Sequence, residues 1–175
     1  MTQADKNFIE TCKEILEHGY SSEGTGVRTR WEDGTEANYI SIVGVSNKYD
    51  VEKEFPMITL RNNTNTVKRA IDEILWIWQK KSNKVSDLNS HIWDQWAGED
   101  GTIGKAYGYQ LAKKYEFKTK DGMQTLDQVD YMLYLLKHDP ASRRIMTNIF
   151  DFGDLKDMNL EPCAYGTQWL VKGGK

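Results

Sequence analysis

Apolar positions recur at helical intervals from the start of the chain. Phe8, Cys12, Ile15 and Leu16 fall on one stripe and Gly19 follows as a stop, which predicts an amphipathic helix over residues 5–18. Residues 19–38 are rich in Gly, Ser and Thr with few aliphatics, so they read as a long loop, the kind a compact domain keeps for function or movement. Tyr39-Ile40-Ser41-Ile42-Val43-Gly44-Val45 alternates in part and is β-branched, which predicts a strand. The strongest helical pattern covers residues 66–81, with Val67, Ala70, Ile71, Ile74, Leu75 and Trp78 on the inward side. A further helix is expected from Leu126 to Lys137, and Pro140 ends it because the residue before a proline avoids the α region. Ile145–Phe150 and Tyr165–Val171 predict two more strands. Lys172-Gly173-Gly174 then reads as the entry to a two-residue hairpin turn. The returning strand is not in the sequence, so the chain is expected to be part of a longer protein.

Composition narrows the class. A chain of 175 residues and 20.2 kDa is expected to form a single domain, residues 1–175, large enough to bury a core without a disulfide or metal staple. Hydrophobic residues make up 39% and only three prolines occur, which excludes collagen-like, low-complexity and wholly disordered chains. The net charge of −3 excludes a chain-wide basic field, so no DNA partner is expected, while a local arginine cluster stays open. No apolar run is long enough to span a membrane and the N-terminus is not a secretory signal. Cys12 and Cys163, with no CxxC spacing, suggest free thiols in a reducing, cytoplasmic setting.

Several residues could carry chemistry, each with a plainer alternative. Cys163, after Pro162, is either a buried small hydrophobe or a nucleophile whose thiol is activated by positive charge. Cys12, on the apolar stripe of the first helix, reads as core. Arg143-Arg144 precedes a strand, where neighbours point to opposite sides, and Arg28 lies in the Gly-rich loop; all three suit phosphate oxygens or simply face water. Glu73 sits close to the apolar side of its helix, as a rim residue or as a carboxylate tuned for proton transfer. Trp93 and Trp96 in HIWDQWAG are aromatic core or the wall of a flat ligand. The three histidines show no ligand spacing, so no metal is expected.

Taken in order, the motifs resemble the thymidylate synthase family over nearly the whole chain, in a branch with bacterial and phage wording. They are Gly26-Val27-Arg28-Thr29, Phe55-Pro56-Met57-Ile58-Thr59, Glu73-Ile74-Leu75-Trp76, Ile92-Trp93-Asp94-Gln95-Trp96 and Tyr107-Gly108. Asp127-Gln128, Asp139-Pro140-Ala141-Ser142-Arg143-Arg144, and Pro162-Cys163 with Gln168 complete the set. The resemblance implies an α+β fold with a large mixed sheet backed by helices, incomplete at the C-terminus, and a symmetric homodimer. It implies that Cys163 is the nucleophile that adds to C6 of dUMP. 5,10-Methylenetetrahydrofolate is then the co-substrate that supplies the one-carbon unit and a hydride, leaving dTMP and dihydrofolate. Arg28 then matches a phosphate-loop arginine, and Arg143 and Arg144 match the pair that reaches the partner's site to hold the dUMP phosphate. Glu73 matches the carboxylate that organises proton transfer, and Trp93 and Tyr107 match residues of the folate and pyrimidine cavity.

The chain departs from the family pattern in places. Ala164 stands where the family commonly has His, the Gly24-Thr25-Gly26-Val27-Arg28 loop is reordered, and Asn62-Asn63-Thr64-Asn65 is slightly expanded, so Arg61 is given no role. The family's later segments, among them the asparagine that reads the base, are not in these 175 residues, so the chain alone is expected to lack synthase activity. Two other readings stay open at this point: a deoxypyrimidylate (dUMP or dCMP) hydroxymethylase of the same fold, and a nonenzymatic nucleotide- or RNA-binding fragment.

Overall fold

Polar chemistry at the N-terminus sets the first helix. In the computed structural model, which describes residues 1–61 and 64–174, α1 runs Gln3–His18. Thr2 accepts the Asp5 amide at 3.1 Å and Asp5 accepts the Thr2 amide at 2.8 Å, a reciprocal capping box that satisfies two orphan donors. The same carboxylate is buried and takes the Thr59 amide at 2.6 Å and its hydroxyl at 2.7 Å, while the Thr2 hydroxyl donates to Met57 O at 2.7 Å. The Phe55–Thr59 motif is thereby strapped to the start of α1.

The hydrogen bonds from Thr59 pull Asp5 down to about 2. A carboxyl lowered on folding stabilises the fold above its unfolded value, about 3.9, and loses that contribution as pH falls toward the folded value. The urea midpoint of the chain is expected to drop between about pH 4 and pH 2. Asp5→Asn should flatten the curve in that window; an unchanged curve would refute the role given to Asp5.

The chain divides into two compact units, 1–64 and 65–175. In the first, the expected burial of the α1 stripe is not met: Phe8 and Leu16 are exposed and Cys12 is half-buried rather than core. Helical spacing marks a face that suits apolar cover, but nothing among the described residues seals this one. The predicted strand over 39–45 contracts to Ile40–Ser41 (β2), paired antiparallel with Tyr20–Ser21 (β1) inside what reads as loop. Gly44, at φ 79°, turns the chain away beyond it.

In the second unit, α2 (Thr64–Ile74) continues into a π-helix over Leu75–Lys80, which ends at Lys81 in the left-handed region, φ 51° and ψ 43°. Trp76 and Ile77 are buried, whereas the expected inward residues Ala70, Ile71, Ile74 and Leu75 are exposed. Trp76 and Ile77 join Leu88, Trp93, Ile103, Ala106, Tyr107, Leu111 and Ile149 in one core.

After α3 (Gly108–Ala112), β3 (Lys114–Thr119) and β4 (Gly122–Asp127) form a hairpin turned at Lys120-Asp121. Asp127 caps α4 (Gln128–His138) by accepting the Asp130 amide at 2.9 Å, and α4 packs Met132 and Leu135 on Ile145. β5 (Ile145–Asn148) pairs antiparallel with β6 (Gly166–Trp169), so that Met146 faces Gln168 and Thr147 faces Thr167. Both are shorter than predicted. Gly173 and Gly174, at φ 60° and 80°, take the left-handed conformation a two-residue hairpin turn requires.

The α+β class holds. The strands, however, form three two-stranded antiparallel ladders rather than one large mixed sheet, each strand pairing on one edge only among the described residues. No helix there is long and apolar enough to cross a membrane.

Candidate functional site

Glu73 lies in the last turn of α2, half-buried. Its Oε1 accepts the Trp93 indole N–H at 2.6 Å. Trp93 is buried just ahead of the short turn Asp94–Trp96, with Trp76 and Trp96 packed against it and Tyr107 meeting it edge-on at 5.2 Å between ring centres. Trp93 is therefore both core and the hydrogen-bonding arm of Glu73.

Tyr107 stands at φ 44° and ψ −104°, a conformation that non-glycine residues avoid. Packing holds it there. A Cβ at the next residue, Gly108, would lie 2.1 Å from Ser82 O, so only glycine lets the two backbones approach. The Tyr107 hydroxyl accepts the Cys163 amide at 3.0 Å. Burial pushes the Tyr107 phenol above its usual value, against the lowering effect of that amide, so the ring stays neutral near pH 7 and keeps its own proton to donate. Pro162 is buried and Cys163 is exposed. A carboxylate, an indole, a phenol and a thiol-bearing residue thus form one connected string, with residue types suited to nucleophilic and proton-transfer chemistry.

Few of the arginines are paired with an acid among the described residues. Lys81, Lys105, Lys113 and Lys114 are all paired with aspartates. Among the described residues Arg30 pairs with Glu36, whereas Arg28, Arg143 and Arg144 have no acidic partner. Arg143 and Arg144 line an open pocket of about 630 Å³ with Asp139, Ser142 and Gln168. Gln168 donates to the Arg143 carbonyl at 3.0 Å, which ties β6 to this turn. Arg144 also borders a cavity of about 720 Å³ with Met146, Asn148 and Phe150. Arg28, exposed beside the buried Val27, belongs to the first unit. A free guanidinium with no internal partner is available to an external anion.

The thymidylate synthase family model matches residues 6–175. The chain belongs to the thymidylate synthase family. Over its full length it is 48% identical to a thymidylate synthase of Bacillus subtilis subsp. natto, and 48% identical to that of Bacillus phage phi3T. A solved structure titled thermostable thymidylate synthase A from Bacillus subtilis matches 99% of the chain with a TM-score of 0.91 and 46% identity. In all three cases the chain spans 62% of the relative's length.

Of the residues singled out from the sequence, Glu73, Trp93, Tyr107 and Cys163 come together, and Arg143 and Arg144 share a pocket. Among the described residues no group of three or more His, Cys, Asp or Glu side chains is placed to hold a metal. Asn62 and Asn63 of the expanded stretch lie outside the described residues. Sequence reasoning missed the β3–β4 hairpin, although Asp121-Gly122 between alternating segments was a signal for it. It also missed Lys81, which carries no motif.

Proposed function

We propose that the chain supplies the nucleophile-bearing part of a thymidylate synthase, reductively methylating dUMP to dTMP. The observation that carries the reading is the string Glu73–Trp93–Tyr107–Cys163, in which an exposed thiol sits on a backbone held by a neutral phenol. The Cys163 sulfur adds to C6 of the uracil ring, so that C5 becomes a carbon nucleophile. 5,10-Methylenetetrahydrofolate, bound as co-substrate, supplies the one-carbon unit and the hydride that complete the methyl group. Glu73 and Tyr107 handle protons near the ring, and Trp93 walls the folate and pyrimidine cavity while fixing Glu73.

The dUMP phosphate is held by Arg28, and by Arg143 and Arg144 reaching from the partner of a homodimer. Their want of internal partners supports this, since a phosphate dianion anchors the nucleotide remote from the chemistry. The 175 residues are read as one domain of that enzyme, acting in a reducing cytoplasm; both cysteines are free.

Incubating the whole protein with 5-fluoro-dUMP and the folate is expected to leave a covalent adduct on the peptide containing Cys163. Mass spectrometry showing no adduct, or an adduct on Cys12, would overturn the assignment. Residues 1–175 alone are expected to release no tritium from dUMP labelled at C5.

A further inference from the structure

Lys81 and Tyr107 are the only non-glycine residues at positive φ among the described residues, at 51° and 44°. They are joined through Ser82. The Ser82 backbone fills the space where a Gly108 side chain would stand, 2.1 Å from Ser82 O and 2.6 Å from Ser82 N. A shift of the chain at Lys81 therefore transmits directly to Tyr107. Such conformations persist only where the surroundings over-determine them.

The Lys81 side chain provides that constraint. Its Nζ lies 2.6 Å from Asp127 Oδ2 and 3.4 Å from Asp130 Oδ1. Asp127 is almost wholly buried, with only 2% of its side chain exposed, and is fixed in turn by the Asp130 amide and by Lys114 at 2.8 Å. The ammonium therefore ties the end of the π-helix to the rigid start of α4. Glu73 precedes the same π-helix, so the contacts close a ring: Glu73 along the helix to Lys81, Ser82 against Gly108, Tyr107 against Trp93, and Trp93 back to Glu73, with the Cys163 amide attached at Tyr107.

We propose that Lys81 is a positioning residue for the nucleophile segment, holding Tyr107 in its strained conformation, and through it the Cys163 backbone, by its tie to Asp127. The proposal rests on the reading of Cys163 as nucleophile for its functional meaning. Its structural content is tested separately.

Amide hydrogen exchange of Cys163, followed by NMR on the whole protein, reads the bond to Tyr107 directly. Lys81→Met is expected to speed that exchange about tenfold, while Ile9 in α1 exchanges as before. Lys81→Gly, which relieves the φ cost but lacks the ammonium, should accelerate Cys163 equally, and Lys81→Arg should restore the native rate. Tyr107→Phe should match Lys81→Met, and the double variant should go no further, because both remove one interaction. A native rate in Lys81→Met or Lys81→Gly, or an additive double variant, overturns the proposal. If Lys81→Met does not fold, Lys81→Gly and the Arg rescue decide. Absence of the fluoronucleotide adduct in the whole protein would instead reject the nucleophile reading, and the exchange results would stand apart from it.

Discussion

Cys163→Ser in the whole protein is expected to lower thymidylate formation at least about a thousandfold and to abolish the fluoronucleotide adduct, with phosphate-dependent binding of dUMP retained. A serine hydroxyl at this position would need a general base to remove its proton before it could add to the ring. A thiol ionises far more readily than an alcohol and needs no such partner. The arginine assignment has its own consequence. Arg144→Ala is expected to raise KM for dUMP strongly, since a free guanidinium is lost from the phosphate site.

If Arg144 serves the partner's site, mixing inactive Cys163→Ser with Arg144→Ala under subunit exchange, assayed at dUMP well below the raised KM, rebuilds one intact site in each hybrid dimer. Recovery of up to about a quarter of the native activity is then expected. Recovery would fail to appear if thiol and guanidinium come from the same subunit. Substantial synthase activity in Cys163→Ser alone would remove the basis of the mechanism.

A large effect on stability is expected at Gly108. Glycine to alanine at a helix start ordinarily stabilises by up to about 1 kcal/mol, because the unfolded chain loses freedom. Here a methyl group would stand 2.1 Å from Ser82 O and 2.6 Å from Ser82 N, and both neighbours are backbone rather than the end of a flexible side chain. The clash wins. Gly108→Ala is expected to cost about 3 kcal/mol, with a loss of roughly 6–12 °C in Tm by calorimetry. Because Tyr107 is the adjacent residue, Cys163 amide exchange should accelerate in the same variant. A melting temperature within a degree of native would show that Ser82 and Gly108 do not pack as described.

These expectations were legible in the sequence to very different degrees. The α1 cap can be read from Thr2 and Asp5, and α4 from its spacing and from Pro140, because capping and helical periodicity are local. The inward face of the second helix was misread for an equally physical reason. Helical spacing marks an apolar stripe but not which part of it meets a neighbour, so Trp76 and Ile77 are buried while Ile71 and Ile74, in the α-helical stretch ahead of the π-helix, are exposed. The strand over 39–45 shrank because a run of β-branched residues states a preference, whereas pairing needs an edge.

The order of short motifs along the chain determined, by itself, the family, and it singled out the residues proposed to carry chemistry: Cys163, Glu73, Trp93, Tyr107 and the three arginines. Residue type decides what a side chain can do, and type is written in the sequence. Only the tertiary structure decided which of these meet. Trp93 proved to be the arm of Glu73, Tyr107 the anchor of the Cys163 amide, and Lys81 the residue whose tie to Asp127 secures the bend beside them. Such contacts join positions from 20 to 56 residues apart, and no local periodicity encodes them. They follow from how the helices, the hairpin and the glycine at 108 close on one another.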